Sequence, residues 1–212
     1  IWLNHFQIKL DGLKGGLSPK VKENFEQAID LIWLGNANVG LLNRLIIDAE
    51  FNWQEVRILR AYTKYIYQAG FRYSQQYIAD ILVRNLDITK LLIDLFHIKF
   101  ALSSKNSQAQ RLLKIDKLSK QIYDNLNNVK DAIDDAVIRQ FLAVILATLR
   151  TNYCQLNSDK KPKDYVSFKL DCHKIPKLPL PLPFAEIFVY SATMEGVHLR
   201  GGKVARGGLR WS

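Results

Sequence analysis

Apolar positions recur at helical spacing through the first three-quarters of the chain and at strand spacing after it. Ser18-Pro19 reads as a helix start, a capping hydroxyl followed by proline in the first turn. Phe25, Ala28, Ile29, Ile32 and Trp33 then repeat every three or four residues, and Gly35 ends the run. Leu41 to Ala49 predicts a second, short apolar helix. Asn52-Trp53-Gln54-Glu55 places a capping asparagine three residues ahead of a glutamate, and the helix it opens runs through Val56, Leu59, Tyr62, Thr63 and Ile66 to Gly70. Ser74 opens another to about Asn85, and Asp87 one through Leu91, Leu95 and Ile98. Two longer helices are predicted from Asp116 to Asn127 and from Asp131 to Tyr153. The second carries a stripe of Ile133, Val137, Phe141, Val144, Ile145 and Thr148, which reads as core packing.

The pattern changes near Asn157. Ser158 to Lys163 is a polar, charged linker. Beyond it, Val166 to Leu170 alternates as a strand does. Ile175 to Pro183 contains Pro176, Pro179, Pro181 and Pro183, so it is an extended connector. Glu186 to Ser191 and Val197 to Arg200 read as further strands, and Lys203 to Arg206 leads into a glycine turn and another strand. The expected fold class is mainly α: a multi-helix, non-catalytic domain over residues 1–157, then a truncated α/β (mixed-sheet) segment over 158–212. Ile1 and Ser212 read as cuts in a longer chain.

Composition narrows the class. With 48% hydrophobic residues, 4 Trp, 9 Tyr and 10 Phe in 212 residues, the chain can bury a sizeable core. Its longest apolar run, Phe141 to Leu149, falls far short of the roughly 20 residues a membrane-spanning helix needs, so no membrane partner is expected. Cys154 and Cys172 lack metal or redox spacing and read as bland thiols in a reducing, cytoplasmic setting. The net charge of +10 raises an alternative, a basic helical module for nucleic acid or another polyanion. The cations are dispersed among apolar helical positions, however, and nucleic acid is not among the expected partners.

Candidate chemistry concentrates in Glu195 to Ser212. Four cations, Arg200, Lys203, Arg206 and Arg210, interleave with paired glycines, and no acid follows Glu195. Glycine admits close backbone approach, and arginine offers a planar fork to an oxyanion. The segment reads either as an anion-recognition loop at a strand end or as a glycine-rich turn on a solvated basic face. It matches neither common nucleotide-binding glycine motif. No metal site is expected: His198 reads as a structural strand histidine, His97 as a core or boundary residue, and His5 and His173 carry no pattern. Asp134 and Asp135, adjacent on a helix, read as solvated.

Met194 to Ser212 resembles the signature that opens the catalytic domain of large bacterial NAD-specific glutamate dehydrogenases. Phe51 to Val56, Leu59 to Tyr62, Ser74-Gln75 and Tyr165 to Leu170 resemble the same family, so the likeness runs over most of the chain. In smaller glutamate dehydrogenases the comparable loop reads as Lys-Gly-Gly, an aliphatic residue, Arg and an aromatic. Arg206-Gly207-Gly208-Leu209-Arg210-Trp211 occupies that pattern here, with Arg in place of Lys. The resemblance implies that Arg206 contacts the side-chain carboxylate of glutamate. Gly207 and Gly208 would permit the approach, and Arg210 is a secondary substrate-binding candidate. It also implies NAD as cofactor, L-glutamate and 2-oxoglutarate as substrate and product, and a homo-oligomer. The family's catalytic lysine, acid–base aspartate and dinucleotide fold would lie beyond Ser212. No catalytic or cofactor-binding residue is therefore expected within these residues, which should be inactive alone.

Overall fold

Local capping signals start several of the helices. A computed structural model describes residues 16–100, 107–204 and, as backbone, 209–211. Helix α1 (Pro19–Trp33) starts at Ser18, whose side chain accepts from the Val21 N–H, and Gly35 closes it at φ 73°. A 3-10 turn (Leu41–Arg44) and the single turn α2 (Leu45–Asp48) stand where one short helix was expected. Helix α3 (Trp53–Gln68) has the full capping box, with Asn52 accepting from Gln54 and Glu55 while Glu55 accepts from the Asn52 N–H. Helices α4 (Gln75–Arg84) and α5 (Leu86–Phe100) follow.

Two predicted helices differ in extent. Helix α6 covers Gln108–Leu126, two turns earlier than expected, because Ser107 and Gln110 form a second capping box. Helix α7 covers Ala132–Ala147, and the chain then becomes strand β1 (Thr148–Thr151) where continued helix to Tyr153 was predicted. The Thr148 hydroxyl donates to Val144 O at 2.8 Å and lies 2.9 Å from Tyr62 Oη. From there the backbone pairs with a later strand. Apolar residues suit a buried helix and a buried strand equally, so tertiary pairing decides the switch.

Strands β2 (Val166–Leu170), β3 (Ala185–Tyr190), β4 (Glu195–Arg200) and β5 (Leu209–Trp211) complete one sheet in the order β1-β2-β3-β4-β5. Among the described residues each pairing is antiparallel, so the sheet segment is present but is not mixed. The connector before β3 includes a cis Leu180–Pro181 peptide. Val166, Phe168 and Leu170 alternate inward along β2 as predicted.

One apolar core runs from the helices into the sheet. Tyr62 of α3 is fully buried and stacks on Phe168 of β2 with ring centroids 4.2 Å apart, while Tyr65 packs on Phe188 of β3 at 5.6 Å. Each such aromatic contributes about 1.5–3 kcal/mol through burial. Helix α3 is thus the element on which the sheet rests, and its polar positions face whatever the strand ends present.

Candidate functional site

Strands β3 and β4 form a hairpin with two carboxylates on the face toward α3. Tyr190 lies opposite Glu195, Phe188 opposite Val197 and Glu186 opposite Leu199; directly opposed side chains share a face. Glu186 is 2% and Glu195 9% exposed. Tyr65 Oη donates to Glu186 Oε2 at 2.6 Å, Lys64 Nζ sits 2.6 Å from Glu195 Oε2, and Gln68 donates to Glu195 Oε1 at 3.1 Å. Burying a carboxylate costs several kcal/mol, and paired, charge-assisted contacts of this kind offset it.

Arg57, Arg60 and Lys64 fall at three- and four-residue steps on α3, hence along one side of the helix. Arg57 is 7% exposed. Its Nη1 donates to Lys163 O at 2.6 Å, and its guanidinium carbon lies 4.5 Å from the Trp53 ring centroid. Arg60 donates through Nη2 to Asn43 Oδ1 and makes a long 3.5 Å contact from Nη1 to Val39 O. Asn43 in turn donates to Asn38 O at 3.3 Å, Asn38 to Ala192 O at 2.9 Å, and Tyr190 Oη to Asn38 Oδ1 at 2.5 Å. This chain of bonds ties α3 and the 36–43 loop to the β3–β4 turn. Burial lowers the proton affinity of both guanidiniums and pushes the Tyr190 phenol up to about 12.

The described start of the segment singled out by sequence, residues 201–204, follows β4 at the end of the hairpin away from its turn. Residues 201–208 connect β4 to β5; Arg206, Gly207 and Gly208 fall outside the described residues. Arg210 stands opposite Val197 in the β4–β5 register. Arg200 donates from Nη2 to Lys203 O at 2.6 Å, drawing the start of the glycine-rich connection back onto β4. His198 pairs with Ile187 and Leu209 mid-strand. His97 is a boundary residue, bonded to Glu55 at 2.9 Å. The described residues contain no group of three or more His, Cys, Asp or Glu arranged to hold a metal ion.

Asp134 corrects the solvated reading. It is 5% exposed, accepts from Arg84 Nε at 2.9 Å and from Arg84 Nη2, and accepts from Asn85 Nδ2 at 2.8 Å. Asp135 points elsewhere and pairs with Arg139 at 2.7 Å on the exposed side. Adjacent helix positions do diverge, and here one of the two points inward. Cys172 is buried, and that burial pushes its thiol up to about 12, as befits an inert side chain.

Sequence reasoning missed Arg57, Arg60, Lys64, Glu186 and Glu195. The available signal was three cations at helical spacing inside a helix with an otherwise apolar face.

Residues 121–212 match the family model described as bacterial NAD-glutamate dehydrogenase, catalytic domain, and residues 39–102 match glutamate dehydrogenase, helical motif 3. Curated relatives named NAD-specific glutamate dehydrogenase, from Halomonas elongata and Pseudomonas aeruginosa, are 40% identical over 211 and 212 residues. The one from Mycobacterium tuberculosis is 37% identical over 219 residues. Each alignment takes in 100% of the chain and 13% of the relative, so the chain spans about an eighth of the length of these proteins.

Proposed function

The chain belongs, over residues 39–102 and 121–212, to the bacterial NAD-specific glutamate dehydrogenase family, and from this we propose that the protein containing it oxidises L-glutamate. The reaction takes L-glutamate, NAD and water to 2-oxoglutarate, ammonia and NADH. The observation that carries this reading is 40% identity across the whole chain to proteins of that name. The alternative of a basic polyanion-binding module draws no support from those matches.

Within these residues we assign the glycine-rich connection between β4 and β5 to the substrate. Arg206 contacts the side-chain carboxylate of glutamate through its fork, Gly207 and Gly208 let the backbone approach, and Arg210 adds positive charge on the adjoining strand. No residue of the chain is assigned to the hydride or proton transfer, and none to NAD, which supplies the hydride acceptor elsewhere in the protein. The division near residue 157 is one of labour: helices before it support and relay, and the segment after it carries the substrate loop. A homo-oligomer acting in the cytoplasm completes the proposal. Among the described residues no helix is long and apolar enough to cross a membrane.

Glutamate-dependent NAD reduction by the full-length protein tests this, comparing wild type with Arg206→Ala and Arg206→Lys. A lost charged hydrogen bond predicts roughly a 10- to 100-fold rise in the glutamate KM for the alanine variant. Lysine should restore part of it, since the charge remains and the fork is lost. An unchanged KM in Arg206→Ala overturns the site assignment. Absence of glutamate-dependent reduction in the folded wild type overturns the reaction itself.

A further inference from the structure

Two arginines line one cleft without an acid to neutralise them. Among the described residues no ion pair includes Arg57 or Arg60. The carboxylate of Asp164 acts on Arg57 only through its field, and none acts on Arg60. Arg57 Nε is buried and has no hydrogen-bond partner. The cleft lies between α1, the 36–43 loop, α3 and the β3–β4 turn, and its wall includes Asn36, Asn38, Asn43 and Trp53 beside the two arginines. The cleft is partly open, and its narrow part has about 20 Å³ of space, room for one water-sized group.

Cationic charge without an acid partner is costly where burial keeps water away, as at Arg57, and partial desolvation depresses the proton affinity of both guanidiniums. A group with two or three oxygens on one centre would remove that cost. Planar forks suit such a group, and amide side chains can both donate and accept around it. We propose that this cleft binds an oxyanion head group, a carboxylate or a phosphate, held by Arg57 and Arg60 with one oxygen in the narrow space and the remainder of the group in the open part of the cleft. Asn38 and Asn43 connect the bound group to Tyr190 and Ala192, at the opposite end of the hairpin from residues 201–204. Occupancy therefore fixes the β3–β4 turn from the helical side.

Hydrogen–deuterium exchange on the full-length protein, free of NAD and glutamate, reads the cleft locally. Millimolar inorganic phosphate and millimolar succinate are compared with chloride at equal ionic strength. Slower exchange in peptides spanning residues 36–46 with either anion supports the proposal, and the effective one identifies the head group. Arg60→Gln should weaken that response about tenfold or more, because a charged hydrogen bond is lost. Gly40→Ala gives a second variant that keeps the charge: an added Cβ would stand 2.8 Å from Arg60 Nη1, displacing the guanidinium. It too should weaken the response. No change with either anion overturns the proposal, as does a response that survives undiminished in Arg60→Gln and Gly40→Ala.

Discussion

Replacing Asp134 with alanine tests whether the α4–α7 contact is an embedded ion pair or surface decoration. The carboxylate is 5% exposed and accepts two contacts from Arg84 and one from Asn85. Breaking a fully buried pair costs about 3–5 kcal/mol, whereas an exposed pair contributes about 0–1. The Arg84 side chain is 38% exposed and keeps Asp80 as a partner, so water relieves much of the stranded charge. The expected loss is about 2 kcal/mol, between those limits. Asp135→Ala removes a one-turn surface pair with Arg139, whose side chain is 44% exposed, and should cost about 0.5 kcal/mol or less. Urea unfolding followed by circular dichroism measures both at pH 7. Acid supplies a second axis. Burial raises the Asp134 carboxyl, but hydrogen bonds from Arg84 and Asn85, with the Arg84 charge, hold it below its ordinary value of 3.8. A depressed folded value means the contribution is present above about pH 4 and is lost as pH falls through the lower one. The gap between wild type and Asp134→Ala should therefore shrink below pH 4. Equal losses for Asp134→Ala and Asp135→Ala, or a gap constant into strong acid, would refute the reasoning.

Two further outcomes follow from the core. Tyr62→Phe removes the hydroxyl shared with Thr148 yet leaves the Phe168 stack and the Thr148–Val144 bond, so unfolding should show a loss of about 1 kcal/mol; a cost above about 3 kcal/mol would mean the ring itself had moved. At pH 8 iodoacetamide should leave Cys172 unmodified in the native protein, because its thiol is buried and held near about 12, with mass spectrometry finding label there only after denaturation.

Local chemistry made much of this fold legible. Ser18, Asn52 and Ser74 all cap helices where the sequence places them, and Val166 to Leu170 is the strand its alternation predicts. What failed to show were features set by distant partners. The helix-to-strand change at Thr148 depends on residues 168–170 pairing across a later loop. The inward turn of Asp134 depends on Arg84, fifty positions away. The cleft of Arg57 and Arg60 needs the 36–43 loop folded against α3 before the two cations share a neighbourhood. The glycine-rich connection was conspicuous because its chemistry is contiguous, whereas a site built from two helices and a turn leaves only a spacing of three residues behind.

The position of β1 has a consequence for how the chain must be made. Four residues directly after α7 form the outer strand of a sheet whose next strand begins at Val166, past the charged segment at 158–163. During synthesis the helices can emerge and collapse together, but Arg150 and Thr151 have no strand partner until Phe168 and Lys169 have been added. The growing polypeptide therefore waits at that point with an unsatisfied end, and severing it at the charged segment would strand β1 on one piece and bare the edge of β2 on the other.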